Sequence, residues 1–147
     1  GNIPIPGPSG QWELELQQMA QETRLRAAMA LEAWEIGNAL TITWNFVRRV
    51  NQYIEQSEPW KLAKLPADEE RLNTVLYSAA EATRILTILL APYIPLSCNR
   101  IMEQLELPPI AQGAWEQEAH WGVRELTQAI PGPLLFPRLY AEAIATL

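Results

Sequence analysis

Prolines set the limits of the helices that this chain can form. A proline ring restricts the backbone of the residue before it and has no N–H to donate, so a helix ends ahead of it. The prolines that interrupt the central part of the chain are Pro59, Pro66, Pro92 and Pro95. Residues 1–10 carry three prolines and three glycines and are predicted to form a proline-rich linker that is not helical.

Between these prolines, apolar residues recur at helical spacing. The pattern predicts helices over residues 11–33, from the region of Gly37 to Ser57, over 68–91, over 96–105 and over 138–147. No stretch shows the alternation of a β-strand, and 147 residues are enough for one domain with a sizeable core. The sequence therefore predicts an all-α helix bundle, with residues 11–147 as a single domain.

The second predicted helix has the clearest one-sided pattern. Its apolar side chains step by three or four residues, which predicts a core-facing stripe. The stripe consists of Ile36, Leu40, Trp44, Val47, Val50 and Ile54. At the start of the third helix, the carboxylate of Asp68 is expected to cap the free backbone N–H groups.

Few residues are of the types that carry catalysis or hold a metal. The chain has one cysteine, Cys98, and one histidine, His120, which excludes an internal disulfide and a Cys/His zinc site. Neither residue has a partner for a nucleophile–base pair, and the seven glycines lack the spacing of a phosphate-binding loop. We expect no catalytic residue, metal or cofactor in this chain, and a structural role for Cys98 and His120.

Composition and charge limit the surroundings and partners of the chain. One cysteine fits a reducing compartment, so a cytoplasmic location is expected. The longest apolar run, residues 85–98, is broken by prolines and shorter than the ~20 residues that span a bilayer, so no membrane contact is expected. The net charge of −6 argues against coating nucleic acid through its phosphates, but residues 48–64 have a local charge of +2. This positive region suits a local contact with an anion.

The segment from Asn51 to Lys64 combines the residue types that bind an unpaired nucleotide. Trp60 follows a helix-ending proline and has Lys61 and Lys64 close by, an arrangement suited to stacking on a base. Asn51 and Glu55 lie one helical turn apart and together offer donors and acceptors to a base edge. A second interpretation stays open from the residues alone, in which Trp60 fills the corner between the second and third helices.

The same segment resembles a known family. Its pattern Asn-x-Tyr-Ile-x(4)-Pro-Trp-x-Leu-Ala-Lys is similar to the signature of the anticodon-binding domain of methionyl-tRNA synthetase. Residues 37–44 resemble the helix before that signature, and residues 90–95 resemble its later Leu-x-Pro-x-x-Pro turn. Pro133 to Arg138 is close to the Pro-Leu-Phe-Pro-Arg ending of the core enzyme, with one extra leucine.

The resemblance implies a helix bundle that receives the anticodon loop of methionine-specific tRNA, with the triplet CAU as its identity element. It implies that Trp60, preceded by Pro59, recognises the first anticodon base, and that Asn51 and Glu55 line the same site. Relatives often carry aspartate where this chain has Glu55. The proposed phosphate contacts are Arg49, Lys61 and Lys64.

The resemblance also implies a division of labour within a longer parent enzyme. Methionine attachment, with ATP and Mg²⁺, would belong to a catalytic domain outside this chain, and that domain would be a second partner. Two alternatives remain. The first is the equivalent domain of another class I synthetase. The second is a helical protein-interaction module that docks through exposed apolar residues: Trp115, Trp121 and 134–136.

Overall fold

The computed structural model describes residues 1–138, and its regular structure is helical. The helices are α1 (Gln11–Glu32), α2 (Ile36–Ser57), α3 (Pro59–Leu62), α4 (Glu69–Leu90), α5 (Pro95–Gln104) and α6 (Ala114–Gln117). A 3-10 turn, Pro66–Asp68, precedes α4. Among the described residues, strand-like pairing is limited to one bridge between Asn2 and Gln128. The predicted all-α class is confirmed.

The predicted limits of the four main helices agree with the structure to within one or two residues. Pro59, Pro66 and Pro95 each occupy the first turn of their element, where the missing N–H removes no hydrogen bond. Asp68 occupies the predicted N-cap position of α4, but the prediction that its carboxylate caps the free N–H groups is wrong, because it makes no capping hydrogen bond. The predicted last helix lies, from residue 139 onward, outside the described residues.

Helices α1, α2 and α4 pack against one another around the main core. Helix α4 is central, as its wide apolar stripe predicts, and residues 84–89 are all buried. The fully buried side chains include Leu16 of α1, Phe46 and Tyr53 of α2, and Ile85 and Leu89 of α4. No helix within residues 1–138 is both long and apolar enough to cross a membrane.

The predicted core stripe of α2 is half right: Val50 is buried and Val47 and Ile54 pack against the main core, whereas the other three residues do not. Ile36, Leu40 and Trp44 are 55%, 37% and 48% exposed. The buried face instead consists of Ala39, Ile42, Thr43, Phe46, Val50, Tyr53 and Ser57. Small and hydroxyl-bearing residues fill this face, since α1 and α4 approach α2 closely there. The buried face is therefore rotated by roughly a quarter turn from the predicted stripe, and Val50 belongs to both.

Residues 1–10 are not helical, and the structure places them against two other parts of the chain. The N–H of Ile3 donates to the carbonyl of Thr127 over 2.8 Å, which joins the segment to residues near the described C-terminal end. The N–H of Gly7 donates to Oγ1 of Thr74 over 3.0 Å. A Cβ at Gly7 would lie 2.6 Å from Cγ of Glu70, so a larger residue there would require the exposed side chain of Glu70 to move.

Candidate nucleic-acid interface

A left-handed residue redirects the chain at the end of α2. Glu58 has φ 45° and ψ 55°, and its N–H donates to the carbonyl of Ile54 over 3.1 Å. A non-glycine residue in this conformation carries strain of about 1–3 kcal/mol. The following turn holds it, since the N–H of Lys61 donates to the carbonyl of Glu58 over 2.8 Å. Pro59 then begins α3 with its φ already set.

Trp60 projects from α3 with 53% of its surface exposed. Leu62, two residues later, packs against the main core, and α3 as a whole lies on α4. The residue that fills the corner between α2 and α4 is therefore Leu62 and not Trp60. About half of the surface of Trp60 is open to solvent.

Asn51 and Glu55 both lie exposed on α2, in the two turns before the chain is redirected. Four residues separate them, so they project from one side of the helix with about 6 Å of axial rise between them. The buried face of this part of α2 carries Val50, Tyr53 and Ser57. Asn51 and Glu55 are thus exposed in the last two turns of α2, and Trp60 is exposed on α3, which follows directly.

The three predicted phosphate contacts occupy different environments. Arg49 is only 18% exposed at its side chain and forms an ion pair with Glu15 of α1 over 3.1 Å. It therefore lies on the α1 side of α2, away from Asn51. Lys61 forms an ion pair with Glu58 over 2.7 Å, and both side chains remain largely in solvent. Lys61 and Lys64 are both exposed and follow Trp60 by one and four residues in the sequence.

Beneath this surface, one buried carboxylate joins three helices. Glu13 of α1 is 0% exposed, and its Oε1 accepts from the hydroxyl of Tyr53 over 2.5 Å and from Nη1 of Arg71 over 2.9 Å. Its Oε2 accepts from the N–H of Gly10 over 2.8 Å. A Cβ at Gly10 would lie 3.0 Å from that oxygen, so glycine gives the backbone its close approach. We call Glu13, Tyr53, Arg71 and Gly10 the Glu13 clasp.

The electrostatics of the Glu13 clasp favour a charged carboxylate and a neutral phenol. Burial raises the pKa of Glu13, but hydrogen bonds from Arg71, Tyr53 and Gly10 outweigh it, and the net pKa is lowered. The pKa of Tyr53 is raised by burial and by its hydrogen bond to Glu13. The pKa of Arg71 is raised by the hydrogen bond to Glu13. All three shifts stabilise the pairing at neutral pH.

The profile of one protein family, the anticodon binding domain of methionyl tRNA ligase, matches residues 3–136. This match covers nearly the whole chain. The chain belongs to this family. The interpretation that the sequence motif suggested is confirmed at the level of the family, and the alternative of a general interaction module is not supported.

Relatives of this anticodon-binding domain occur within much longer proteins. The methionine–tRNA ligase of Bacillus subtilis (strain 168) is 36% identical over 136 residues, which cover 92% of this chain and 20% of that protein. The methionine–tRNA ligase of Clostridium tetani (strain Massachusetts / E88) is 34% identical, with 97% and 22% covered. The apo crystal structure of Mycobacterium tuberculosis methionyl-tRNA synthetase matches with a TM-score of 0.81 and 30% identity, covering 95% of this chain and 28% of that one. The chain thus spans about a fifth of the length of the curated relatives.

Two other predictions about the anticodon-binding domain can be compared with the structure. Trp115 and Trp121 were expected to be exposed, but both are partly buried against the core, and Nε1 of Trp115 donates to the carbonyl of Ile88 over 3.0 Å. Leu134 and Phe136 are 78% and 69% exposed. Within residues 1–138, no group of three or more His, Cys, Asp or Glu side chains is placed to hold a metal ion.

The Glu13 clasp is the part of the anticodon-binding domain that the sequence did not reveal. Its partners are distant along the chain, with 40 residues between Glu13 and Tyr53. The local signal was a carboxylate three residues after Gly10 at the start of a helix, a position that favours a contact with the N-cap backbone. That spacing indicates a helix start but does not indicate a tyrosine or an arginine as partners.

Proposed function

We propose that this domain binds the anticodon loop of a tRNA and that Trp60 stacks on the first anticodon base. The observation that supports this most directly is the half-exposed indole on the turn after α2. Unpaired bases in RNA loops are commonly bound by stacking on aromatic side chains. Pro59 sets the backbone just before Trp60, which limits the directions that the indole can take.

In this proposal Asn51 and Glu55 provide hydrogen bonds to base edges. A carboxylate accepts hydrogen bonds only, which suits the N4 amino group of cytosine, the first base of a CAU anticodon. The amide of Asn51 both donates and accepts and therefore suits a neighbouring base or ribose. Lys61 and Lys64 lie close enough to Trp60 in the chain to meet the flanking phosphates, whereas Arg49 would first have to leave Glu15.

The wider function follows from the relatives, which carry the name methionine–tRNA ligase. We propose that the parent polypeptide attaches methionine to its tRNA in the cytoplasm. A catalytic domain outside these residues would bind ATP and Mg²⁺ there. The exposed Leu134 and Phe136 are the apolar side chains that we propose to contact that catalytic domain.

The test is to measure binding of a labelled RNA stem-loop with a CAU anticodon to this chain by fluorescence anisotropy. Trp60→Ala is expected to weaken binding roughly 5- to 150-fold, which corresponds to the ~1–3 kcal/mol of a base–aromatic stack. Trp60→Phe is expected to retain part of the affinity, since it keeps an aromatic face.

The matched control is Trp34→Ala. Trp34 is 86% exposed and precedes α2, whereas Trp60 follows it, so the two indoles lie at opposite ends of a helix about 33 Å long. This control is expected to bind the CAU stem-loop as the unmodified chain does. Equal affinity for CAU and for a stem-loop with a changed first base, or equal binding by Trp60→Ala, would contradict the proposal.

A further inference from the structure

The segment that carries Trp60 is an excursion between two helices, and both of its ends bind the same carboxylate. The excursion runs through residues 54–70, from the last turn of α2 to the first turn of α4. Tyr53 lies immediately before it and Arg71 immediately after it. The Tyr53 hydroxyl and the Arg71 guanidinium both donate to Oε1 of Glu13, over 2.5 and 2.9 Å.

Glu13 therefore links the two ends of the excursion through one carboxylate, in addition to the direct packing of α2 on α4. It belongs to α1, which contributes no residue to the excursion itself. Glu13 and Tyr53 are both 0% exposed, so water does not compete for the hydrogen bond between them. Oε2 is in turn held by the N–H of Gly10, which leaves the carboxylate little freedom to rotate.

The excursion is built so that a shift at its ends reaches Trp60. Pro59 and Pro66 each have a fixed φ, and Glu58 is held in a left-handed conformation. Inside the excursion the main tertiary anchors are Leu62 on the core and the packing of α3 on α4. A change in the separation of Tyr53 and Arg71 thus alters the position of α3 relative to α2, where Asn51 and Glu55 lie.

We propose that Glu13 is a positioning residue for base binding, and that it acts through Tyr53 and Arg71 to set the place of Trp60 relative to Asn51 and Glu55. Glu13 itself is buried and does not touch the RNA. This inference rests on the proposed anticodon function, and it adds a requirement in α1, outside the motif between Asn51 and Lys64.

The test combines Glu13→Gln and Tyr53→Phe with Trp60→Ala in a double-mutant cycle on CAU stem-loop affinity, at a temperature where circular dichroism shows every variant folded. Glu13→Gln and Tyr53→Phe are each expected to weaken binding by at least about threefold when Trp60 is present and to have almost no effect in the Trp60→Ala background. The control is Trp115→Phe, which removes a different hydrogen bond in the core. It is expected to lower stability without changing affinity.

A second readout does not depend on RNA. The chain is labelled with 5-fluorotryptophan, and the ¹⁹F resonance of Trp60 is assigned by its loss in Trp60→Phe. Glu13→Gln is expected to shift or broaden that resonance, and Trp115→Phe is expected to leave it in place.

Unchanged affinity and an unchanged Trp60 resonance in Glu13→Gln would overturn the positioning role, as would equal losses of affinity with and without Trp60. If Trp60→Ala itself binds normally, the anticodon proposal fails, and the ¹⁹F measurement alone then decides whether Glu13 positions Trp60.

Discussion

Two of the glutamates within residues 1–138, Glu13 and Glu81, are completely buried, and they have different partners. Glu13 joins α1 to residues of α2 and α4 and lies beneath the surface that carries Trp60. Glu81 pairs with Arg84 of the same helix, over 2.8 Å, and both side chains are 0% exposed. The partner of Glu13, Arg71, keeps 35% of its side chain in solvent.

The second network holds irregular backbone against α4. Arg84 donates to the carbonyls of Glu118 and His120, each over 2.6 Å, and Glu81 accepts from the N–H of Gly122 over 2.7 Å. Residues after α6 have few regular hydrogen bonds of their own, so the ion pair supplies them with partners. The two buried carboxylates thus differ in what they hold: Glu13 links helices that also pack against one another, whereas Glu81 and Arg84 hold the irregular residues 118–122.

The largest effect on stability is expected from breaking the fully buried ion pair of Glu81 and Arg84. Arg84→Met leaves the Glu81 carboxylate buried without its cation and the carbonyls of Glu118 and His120 without donors. The free energy of unfolding is expected to fall by about 3–5 kcal/mol, as measured by urea denaturation.

Replacing both members of that pair separates the burial of a charge from the loss of contacts. Glu81→Leu/Arg84→Met is expected to be more stable than Arg84→Met alone, because no unpaired charge remains in the core. A double variant that is less stable than Arg84→Met would show that the contacts to residues 118–122 dominate.

The Glu13 clasp is expected to have a smaller and pH-dependent effect on stability. The pKa of Glu13 is lowered from its ordinary value of 4.5, so folding favours the ionised form. The stabilisation that ionised Glu13 provides is therefore fully present above pH 4.5. It is lost as the pH falls through the lower pKa that Glu13 has in the folded state. Wild type is expected to exceed Glu13→Gln in free energy of unfolding at pH 7, and the difference is expected to narrow as the pH falls from about 5 towards 3.

This prediction is checked by urea denaturation of both proteins at constant ionic strength across that pH range. The comparison uses the difference between the two proteins, so the titration of the other carboxylates largely cancels. A difference that stays constant, or that grows on acidification, would mean that Glu13 is not held as a carboxylate in the folded domain.

The four main helices of this domain were predictable from the sequence because local residue signals mark where each one begins and ends. Prolines and helical spacing fix where α2, α4 and α5 begin and end, and these signals need no knowledge of the packing. Which side of α2 is buried was not predictable in the same way. The hydroxyl of Tyr53 donates to Glu13, 40 residues away in the sequence, and that partner is known only from the fold. The hydroxyl of Thr43 donates to the carbonyl of Ala39 one turn earlier, as a threonine can on any face of a helix, so this bond does not mark the buried side.

In the candidate interface, too, residues close together in the sequence were predicted and partners distant in the sequence were not. The exposed parts, Trp60 with Asn51 and Glu55, lie within ten residues and were found from their spacing. The buried support came from α1, through pairings that span 40 residues in the case of Tyr53. The ion pair of Arg49 with Glu15 spans 34 residues and was missed for the same reason.

The smallest effect on stability is expected from the exposed pair of Glu58 and Lys61, whose side chains are 42% and 63% exposed. Exposed ion pairs contribute about 0–1 kcal/mol, so Lys61→Ala is expected to lower the free energy of unfolding by no more than about 1 kcal/mol. Its effect should lie in binding, because a lysine that meets a phosphate of single-stranded RNA contributes about −0.7 to the slope of log affinity against log salt concentration. Lys61→Ala is therefore expected to make that slope for the CAU stem-loop shallower by about 0.7. An unchanged slope together with a large loss of stability would place Lys61 with the structural pairs, because it would then serve to hold Glu58 in its left-handed turn.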